Sequence, residues 1–334
     1  MTNPSPVLRE APPRLAEIQA PVEEELAGVI DELRRIVVSD FHMIEEVNEY
    51  LLLMRGKLFR PTLLLLSNAV GSEPGREGVT LGAVVELVHL ATLVHDDAVD
   101  HSVLRRGLPT VNALWTHQVA VIMGDYLYSR SVTELADLDE PRYISVLAQA
   151  ANEMSVGEMR QLTSYDALDF SEEDYDRLIA AKTASLMAAA CEMGAIAGGG
   201  RHRESLRSFG RSLGMAFQIA DDLLDYTGTE AVTGKPTGHD LRERKVTLPL
   251  VGALRAASDA EVREIRRFFT LVDPDAEAID RVVEIVRDRG GLAYARSRAE
   301  EYADRARGAL AGLPAGPALD ALRASVAYAV ERSR

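Results

Sequence analysis

Apolar residues recur at three- and four-residue spacings along most of the chain, the mark of helices with one face turned inward. Leu81–Asp97 (LGAVVELVHLATLVHDD) and Ser145–Leu162 (SVLAQAANEMSVGEMRQL) carry it most clearly. Strand-like alternation is scarce. Breaks fall where glycine, proline or aspartate gathers: GSEPGREG (71–78), RRGLPT (105–110), LDEPR (138–142), AGGGR (197–201), TGKPTGHD (233–240), VDPD (272–275) and LPAGP (313–317). They are evenly scattered, and none reads as an interdomain linker. The pattern predicts an all-α fold of ten or more helices in one domain over residues 21–334. Residues 1–20, with Pro4, Pro6, Pro12 and Pro13 and with Pro21 just beyond, read as a flexible leader.

Composition narrows the class. With 334 residues and 47% hydrophobic positions the chain has ample material for a core. A formal charge of −15 argues against nucleic acid as a partner, since binding a phosphate backbone needs a basic face. Cys191 is the only cysteine, which excludes a disulfide framework and fits a reducing, cytoplasmic setting. No apolar run near the start resembles a signal peptide, and the uninterrupted apolar stretches are too short to span a bilayer.

One internal echo carries chemistry. LVHDDAVDH (93–101) and QIADDLLDY (218–226) share an apolar lead, two adjacent aspartates, two apolar residues and a third aspartate. On a helix, positions i and i+4 share a face, so Asp96 aligns with Asp100 and Asp221 with Asp225. Asp97 and Asp222 stand about a quarter-turn round. Three negative charges in little more than one turn repel each other. A solvated acidic face explains one such cluster; two, each set in apolar sequence, call for a compensating cation. All-oxygen donors favour a hard ion, and Mg²⁺ completes its shell with water and substrate phosphates.

A diphosphate held by metal also needs cations of its own. Lys57 and Arg60 lie three apart, and His89 sits two turns before Asp96 on the same face. Arg105 and Arg106 precede a Gly–Leu–Pro turn able to fold them back. Lys182, Thr183, Gln218, Lys235 and Lys245 lie near the second cluster or in adjoining segments. Glu86 and His89 form an E-x-x-H, but no other histidine has a glutamate three before it, so a di-iron carboxylate bundle is excluded.

These residues together resemble the trans-isoprenyl diphosphate synthases, the head-to-tail prenyltransferases. The likeness runs from about Leu51 to the C-terminus, through GKLFRP, ELVHLATLVHDDAVDHSVLRRGLPT, GDYLY, GEMRQL, KTASL, FQIADDLLDYTG and GKPTGHDLRERKVTLP. It implies helices around a deep central cavity, usually in a homodimer. It implies that Asp96, Asp100 and Asp221, with Asp97, Asp222 and Asp225 beside them, hold three Mg²⁺ ions on an allylic diphosphate. Arg105, Lys182, Lys235 and Lys245 correspond to further contacts with that diphosphate. Lys57, Arg60, His89 and Arg106 correspond to the site for isopentenyl diphosphate. Thr183 and Gln218, beside Lys182, correspond to polar groups facing the reacting allylic carbon.

The chain departs from the family's GGKRLRP in having Arg55 and Leu58, while keeping Lys57 and Arg60. Family product length is set by side chains one or more turns before the first aspartate motif. Here these are Ala91 and Thr92, with Val88 a turn deeper and Met123, Met154 or Leu162 as contributors from other helices. Small groups at Ala91 and Thr92 imply a long product, on the order of C30 to C50, at roughly one isoprene unit per ~5.4 Å helix turn. A long product also implies transient membrane contact on release. A class I terpene cyclase would carry one DDxxD and a different second motif, and a non-catalytic partner subunit would lack the aspartates. Short-chain synthesis, C15 to C25, is the alternative within the family.

Overall fold

The computed structural model describes residues 13–54, 56–70, 75–163, 169–227, 238–271 and 273–331. Among these, helices α1 (Leu15–Gln19), α2 (Glu23–Ile36), α3 (His42–Leu53), α4 (Phe59–Ala69) and α5 (Arg76–Val99) come first. A two-residue hairpin, β1 (Leu104–Arg105) and β2 (Leu108–Pro109), pairs antiparallel with Leu104 opposite Pro109. Then follow α6 (Val111–Leu114), α7 (His117–Asp137), α8 (Pro141–Thr163), α9 (Glu172–Ile179), α10 (Ser185–Ala197) and α11 (Arg203–Thr227). The chain continues through α12 (His239–Arg242), α13 (Leu248–Leu254), α14 (Asp259–Phe268), α15 (Ala276–Asp288), α16 (Gly291–Ala309) and α17 (Pro317–Glu331). The fold is all-α, as the periodicity predicts.

Helix α5 is central because it is apolar on every side. Leu81, Val84, Val85, Leu87, Val88, Leu90, Ala91 and Val94 are all buried. It packs on α2, α4 and α7, whereas α11 packs on α10 and α16. Two helical rods, Arg76–Val99 and Glu172–Ala197, are long and apolar enough to cross a membrane by length and composition. Their most apolar windows are 72% and 83% buried inside the fold, which makes them core helices. Scanning for uninterrupted apolar runs does not find them, because single polar residues break the runs. A smaller apolar cluster, including Tyr226, Leu241, Leu250, Phe268, Ile279 and Val286, gathers α12 to α15 at the end of α11.

Two local features position the site. The rod Glu172–Ala197 is interrupted by one π-helical turn, Ala180–Ala184, which carries Lys182 and Thr183. Such turns insert a residue and re-aim side chains, and they recur at functional sites. The flanking helices approach this turn through glycines. A Cβ at Gly157 would lie 2.6 Å from Ala181 Cβ, and one at Gly214 would lie 2.5 Å from Ala184 Cα.

The second feature corrects the expected leader. Within residues 13–20, α1 is formed and Ile18 is fully buried. Gln19 Nε2 donates to the Lys57 carbonyl (2.9 Å) and to Thr62 Oγ1 (3.1 Å), tying this helix to the GKLFRP segment.

Candidate active site

The first aspartate cluster ends α5, with Asp100 as its C-cap. Asp97 is 4% exposed, and both its carboxylate oxygens accept Arg105 Nε–H, at 2.8 and 3.0 Å. Asp97 therefore holds Arg105 in place. The hairpin turns at Arg106 and Gly107, whose φ values are 53° and 77°, the pattern of a tight two-residue loop. It sends successive arginines to different places. Arg105 returns to Asp97, while Arg106 Nη1 donates to the Met54 carbonyl (3.0 Å) with its guanidinium against Gly56.

Arg106 thereby joins a basic pocket with Arg60 and His89. Burial pushes the Arg60 guanidinium below its ordinary value, Glu86 opposes this, and Arg106 adds to it. Arg60 Nε is buried with no hydrogen-bond partner among the described residues. Burial, followed by the charges of Arg60, Arg106 and Arg105, holds His89 well below the usual imidazole value. Glu86, 2% exposed, is the buried counter-charge; burial raises its carboxyl and Arg60 and Arg106 lower it. Such a pocket suits an anion. Lys57, at its rim, is exposed, and Leu58 takes a left-handed φ of 52° as it caps α4.

Across from α5, the π turn meets α8 and α11. Lys182 Nζ pairs with Glu158 (2.5 Å) and donates to Gln161 Oε1 (3.1 Å). Asp96 lies close enough to feel these groups: burial raises its carboxyl, Lys182 lowers it, and Glu158 and Asp100 raise it. Thr183 Oγ1 donates to Gln218 Oε1 (2.7 Å), and Gln218 Nε2 donates to Asp222 Oδ1 (2.8 Å). The other Asp222 oxygen accepts the Tyr175 hydroxyl (2.6 Å). Burial and Asp240 push the Asp222 carboxyl well up, against those two donors. Asp225 accepts the backbone N–H groups of His239 and Asp240, both at 3.0 Å, and so caps α12.

Of the second cluster, then, Asp222 and Asp225 accept hydrogen bonds from protein donors. Asp221 is exposed. Lys245 donates to Glu243 (2.6 Å); burial lowers its ammonium, but Glu243, Asp240 and Asp100 hold it above its ordinary value. Asp100 and Lys245 line the same cavity, so the end of α5 faces the 239–247 segment. Between them opens a cavity of ≈ 930 Å³ lined by Asp100, Lys182, Thr183, Gln218, Asp240 and Lys245, among others. Asp240 is pushed up to about 6, first by burial and then by Asp225.

Among the described residues, no three acidic, histidine or cysteine side chains are gathered into a ready-made cation site. The donor set still fits a hard divalent ion. Asp96 and Asp240 are carboxylates that their surroundings resist charging, and the oxygen ligands lie on more than one segment. That is the setting for an ion bound together with substrate phosphates.

Lys235 lies outside the described residues. Val88 and Ala91 are buried in the core, and Thr92 Oγ1 donates to the His89 carbonyl (2.7 Å). Met123 and Met154 are buried; Leu162 is 56% exposed, which removes it as a cavity floor within one chain. Sequence reasoning did not assign roles to Glu158, Gln161, Tyr175, Asp240 or Gln19. Glu158 and Gln161 stand in the quoted GEMRQL and Asp240 in GHDLRERK, so these motifs held the signal. Nothing in the local pattern marks Gln19.

An all-α shell around a cavity where carboxylates face cations, with a buried basic pocket beside it, defines an enzyme acting on diphosphate esters. A match to the Polyprenyl synthetase family spans residues 41–286. The octaprenyl diphosphate synthase of Escherichia coli (strain K12) is 37% identical over 325 residues, 96% of this chain and 99% of that protein. A crystal structure of a decaprenyl diphosphate synthase from Rhodobacter capsulatus superposes with a TM-score of 0.91 at 38% identity, covering 96% of this chain and 100% of that one. A polyprenyl synthase from Caulobacter crescentus CB15, complexed with calcium and isoprenyl diphosphate, gives 0.91 at 34% identity, covering 98% and 99%. The chain belongs to the polyprenyl synthetase family and is a prenyltransferase.

Proposed function

We propose that the chain condenses isopentenyl diphosphate with an allylic diphosphate, repeatedly, to an all-trans-polyprenyl diphosphate of C30 to C50. The observation that carries this is the pairing of two anion-binding regions on one helix. His89, with Arg60 and Arg106 around it, lies two turns, about 10 Å, from Asp96 with Lys182 beside it. The basic pocket takes isopentenyl diphosphate on Lys57, Arg60, His89 and Arg106. The cavity takes the allylic diphosphate on Arg105, Lys182 and Lys245. The names of the relatives and the small Ala91 and Thr92 side chains support the long product.

Asp96, Asp100 and Asp221 are the residues that would hold Mg²⁺, three ions by family likeness. When bound, these ions neutralise charge on the diphosphate leaving group. Lys182 and Arg105 supply fixed positive charge where the departing oxygen becomes negative. As the allylic C–O bond breaks, Thr183 and Gln218 present oxygens to the cation. The double bond of isopentenyl diphosphate attacks, a C–C bond forms, and the proton lost from the isopentenyl unit passes to the released diphosphate. The apolar packing of Ala98 and Leu223, both fully buried, helps keep water from trapping the cation.

Apolar side chains exposed on α7 and α8, Ile122 (61%) and Met159 (61%) foremost, support a homodimer. A cytoplasmic enzyme with transient membrane contact on product release completes the reading. The test is incubation with Mg²⁺, labelled isopentenyl diphosphate and farnesyl diphosphate, followed by sizing of the dephosphorylated products. A ladder ending between C30 and C50 is expected. Termination at C20 or C25 would overturn the long-chain reading, and no elongation from any primer would overturn the reaction.

A further inference from the structure

Four side chains from α9, the π turn and α11 form an unbroken chain of hydrogen bonds along the cavity wall. Thr183 donates to Gln218 (2.7 Å), Gln218 donates to Asp222 (2.8 Å), and Tyr175 donates to Asp222 (2.6 Å). All four residues line the cavity. The sense of the chain follows from its far end. Both Asp222 oxygens accept, one from the Tyr175 hydroxyl and one from Gln218 Nε2, so the N–H side of the Gln218 amide is turned toward Asp222. The Gln218 carbonyl is then left facing Thr183 and takes the hydroxyl proton. With the amide reversed, Thr183 would accept from the amide and swing its own hydrogen elsewhere.

Tyr175 closes the arrangement. It is 1% exposed, and Ser171 starts α9 in front of it through a reciprocal cap with Asp174, at 3.1 and 3.2 Å. By occupying the second oxygen of Asp222, its hydroxyl prevents that carboxylate from rotating into the cavity. Once Tyr175 and Asp222 are fixed, the hydrogen positions at Gln218 and Thr183 are fixed too.

We infer that Tyr175 and Asp222 are a positioning pair that orients the Gln218 amide and, through it, the Thr183 hydroxyl, so that oxygen lone pairs face the allylic cation. The inference rests on Thr183 and Gln218 facing that cation, as proposed above. It makes the middle aspartate of the second cluster part of the cation-stabilising wall and recruits a tyrosine from another helix. A networked carboxylate of this kind acts through its neighbours.

The test is a double-mutant cycle on the full chain, with Tyr175→Phe and Gln218→Leu alone and together. Condensation kinetics and hydrolysis of the allylic diphosphate are measured in parallel. Tyr175→Phe is expected to lower kcat about tenfold with both KM values held within about twofold, and to raise the hydrolysed fraction. In the Gln218→Leu background the same change is expected to cost less than about twofold, because its only route is already cut. An equal loss in both backgrounds, or an unchanged kcat, would overturn the inference. Asp222→Asn is a second probe: it leaves Tyr175 an acceptor but frees the amide, so the same coupling to Gln218 is expected. Additive losses in that cycle would likewise overturn it. A wild-type chain that does not condense the substrates would refute the proposed function itself, a result separate from either cycle.

Discussion

Asp240 sits where a negative charge is unwelcome, and its replacement by asparagine reports how unwelcome. Burial and the Asp225 carboxylate push it up to about 6 from an ordinary 3.8, against the pull of Lys245. The folded protein therefore binds this proton more tightly than the unfolded chain does. Stability from this group is full below pH 3.8, falls as pH rises toward 6, and stays low above it. At roughly 1.4 kcal/mol per pH unit, the gap amounts to about 3 kcal/mol at neutral pH. Other carboxylates titrate in the same range, so the readout is the difference between wild type and Asp240→Asn in urea denaturation across pH 4 to 7.5, with chelator present. The variant is expected to match wild type near pH 4 and to exceed it by about 3 kcal/mol at pH 7.5. Mg²⁺ with inorganic diphosphate is expected to shrink that advantage, since cations then meet the charge. A difference that does not change with pH would refute the reasoning.

Four further perturbations test the site. Gly157→Ala is expected to cost about 1–3 kcal/mol and to raise KM for the allylic substrate, because the new Cβ meets Ala181 in the π turn; denaturation and steady-state kinetics check both. Ala91→Phe or Thr92→Phe is expected to shorten the product, and unchanged product length in two folded variants would sink the floor assignment. Asp225→Ala is expected to lower stability by about 1–2 kcal/mol through loss of the cap on His239 and Asp240, with little change in the Mg²⁺ needed for half activity. Asp96→Ala is expected to raise that Mg²⁺ requirement, and equal effects from the two variants would erase the distinction drawn between them.

The helical class was legible because burial on one face leaves a periodic trace, and the aspartate clusters were legible because they recur. Which aspartate does what was not. Asp96 and Asp97 are adjacent and chemically identical, and only a quarter-turn of helix and the return of Arg105 separate a carboxylate that feels Lys182 from one that pairs with Arg105. The same holds for Asp225, whose caps come from a segment over a dozen residues away. Around residues 13–20 the prolines nearby outweigh a helical spacing of Leu15, Ile18 and Val22, whose burial depends on α4 and α17. The π turn left no pattern to read: KTASL continues a good helical sequence, and the extra residue is dictated by the close approach of Gly157 and Gly214.

That π turn has a consequence for how this chain varies by length. It holds one residue more than an α-helix needs across the same span, while α9 before it and α10 after it keep their own packing faces. Removing a single residue, Ala181 for example, would let Glu172–Ala197 close into an unbroken α-helix with a more regular hydrogen-bond ladder. The rod would gain regularity, yet the Lys182 and Thr183 positions would turn by about 100° relative to α9. A one-residue deletion is usually damaging because it disrupts a helix; here it would complete one and misdirect the side chains that the cavity requires.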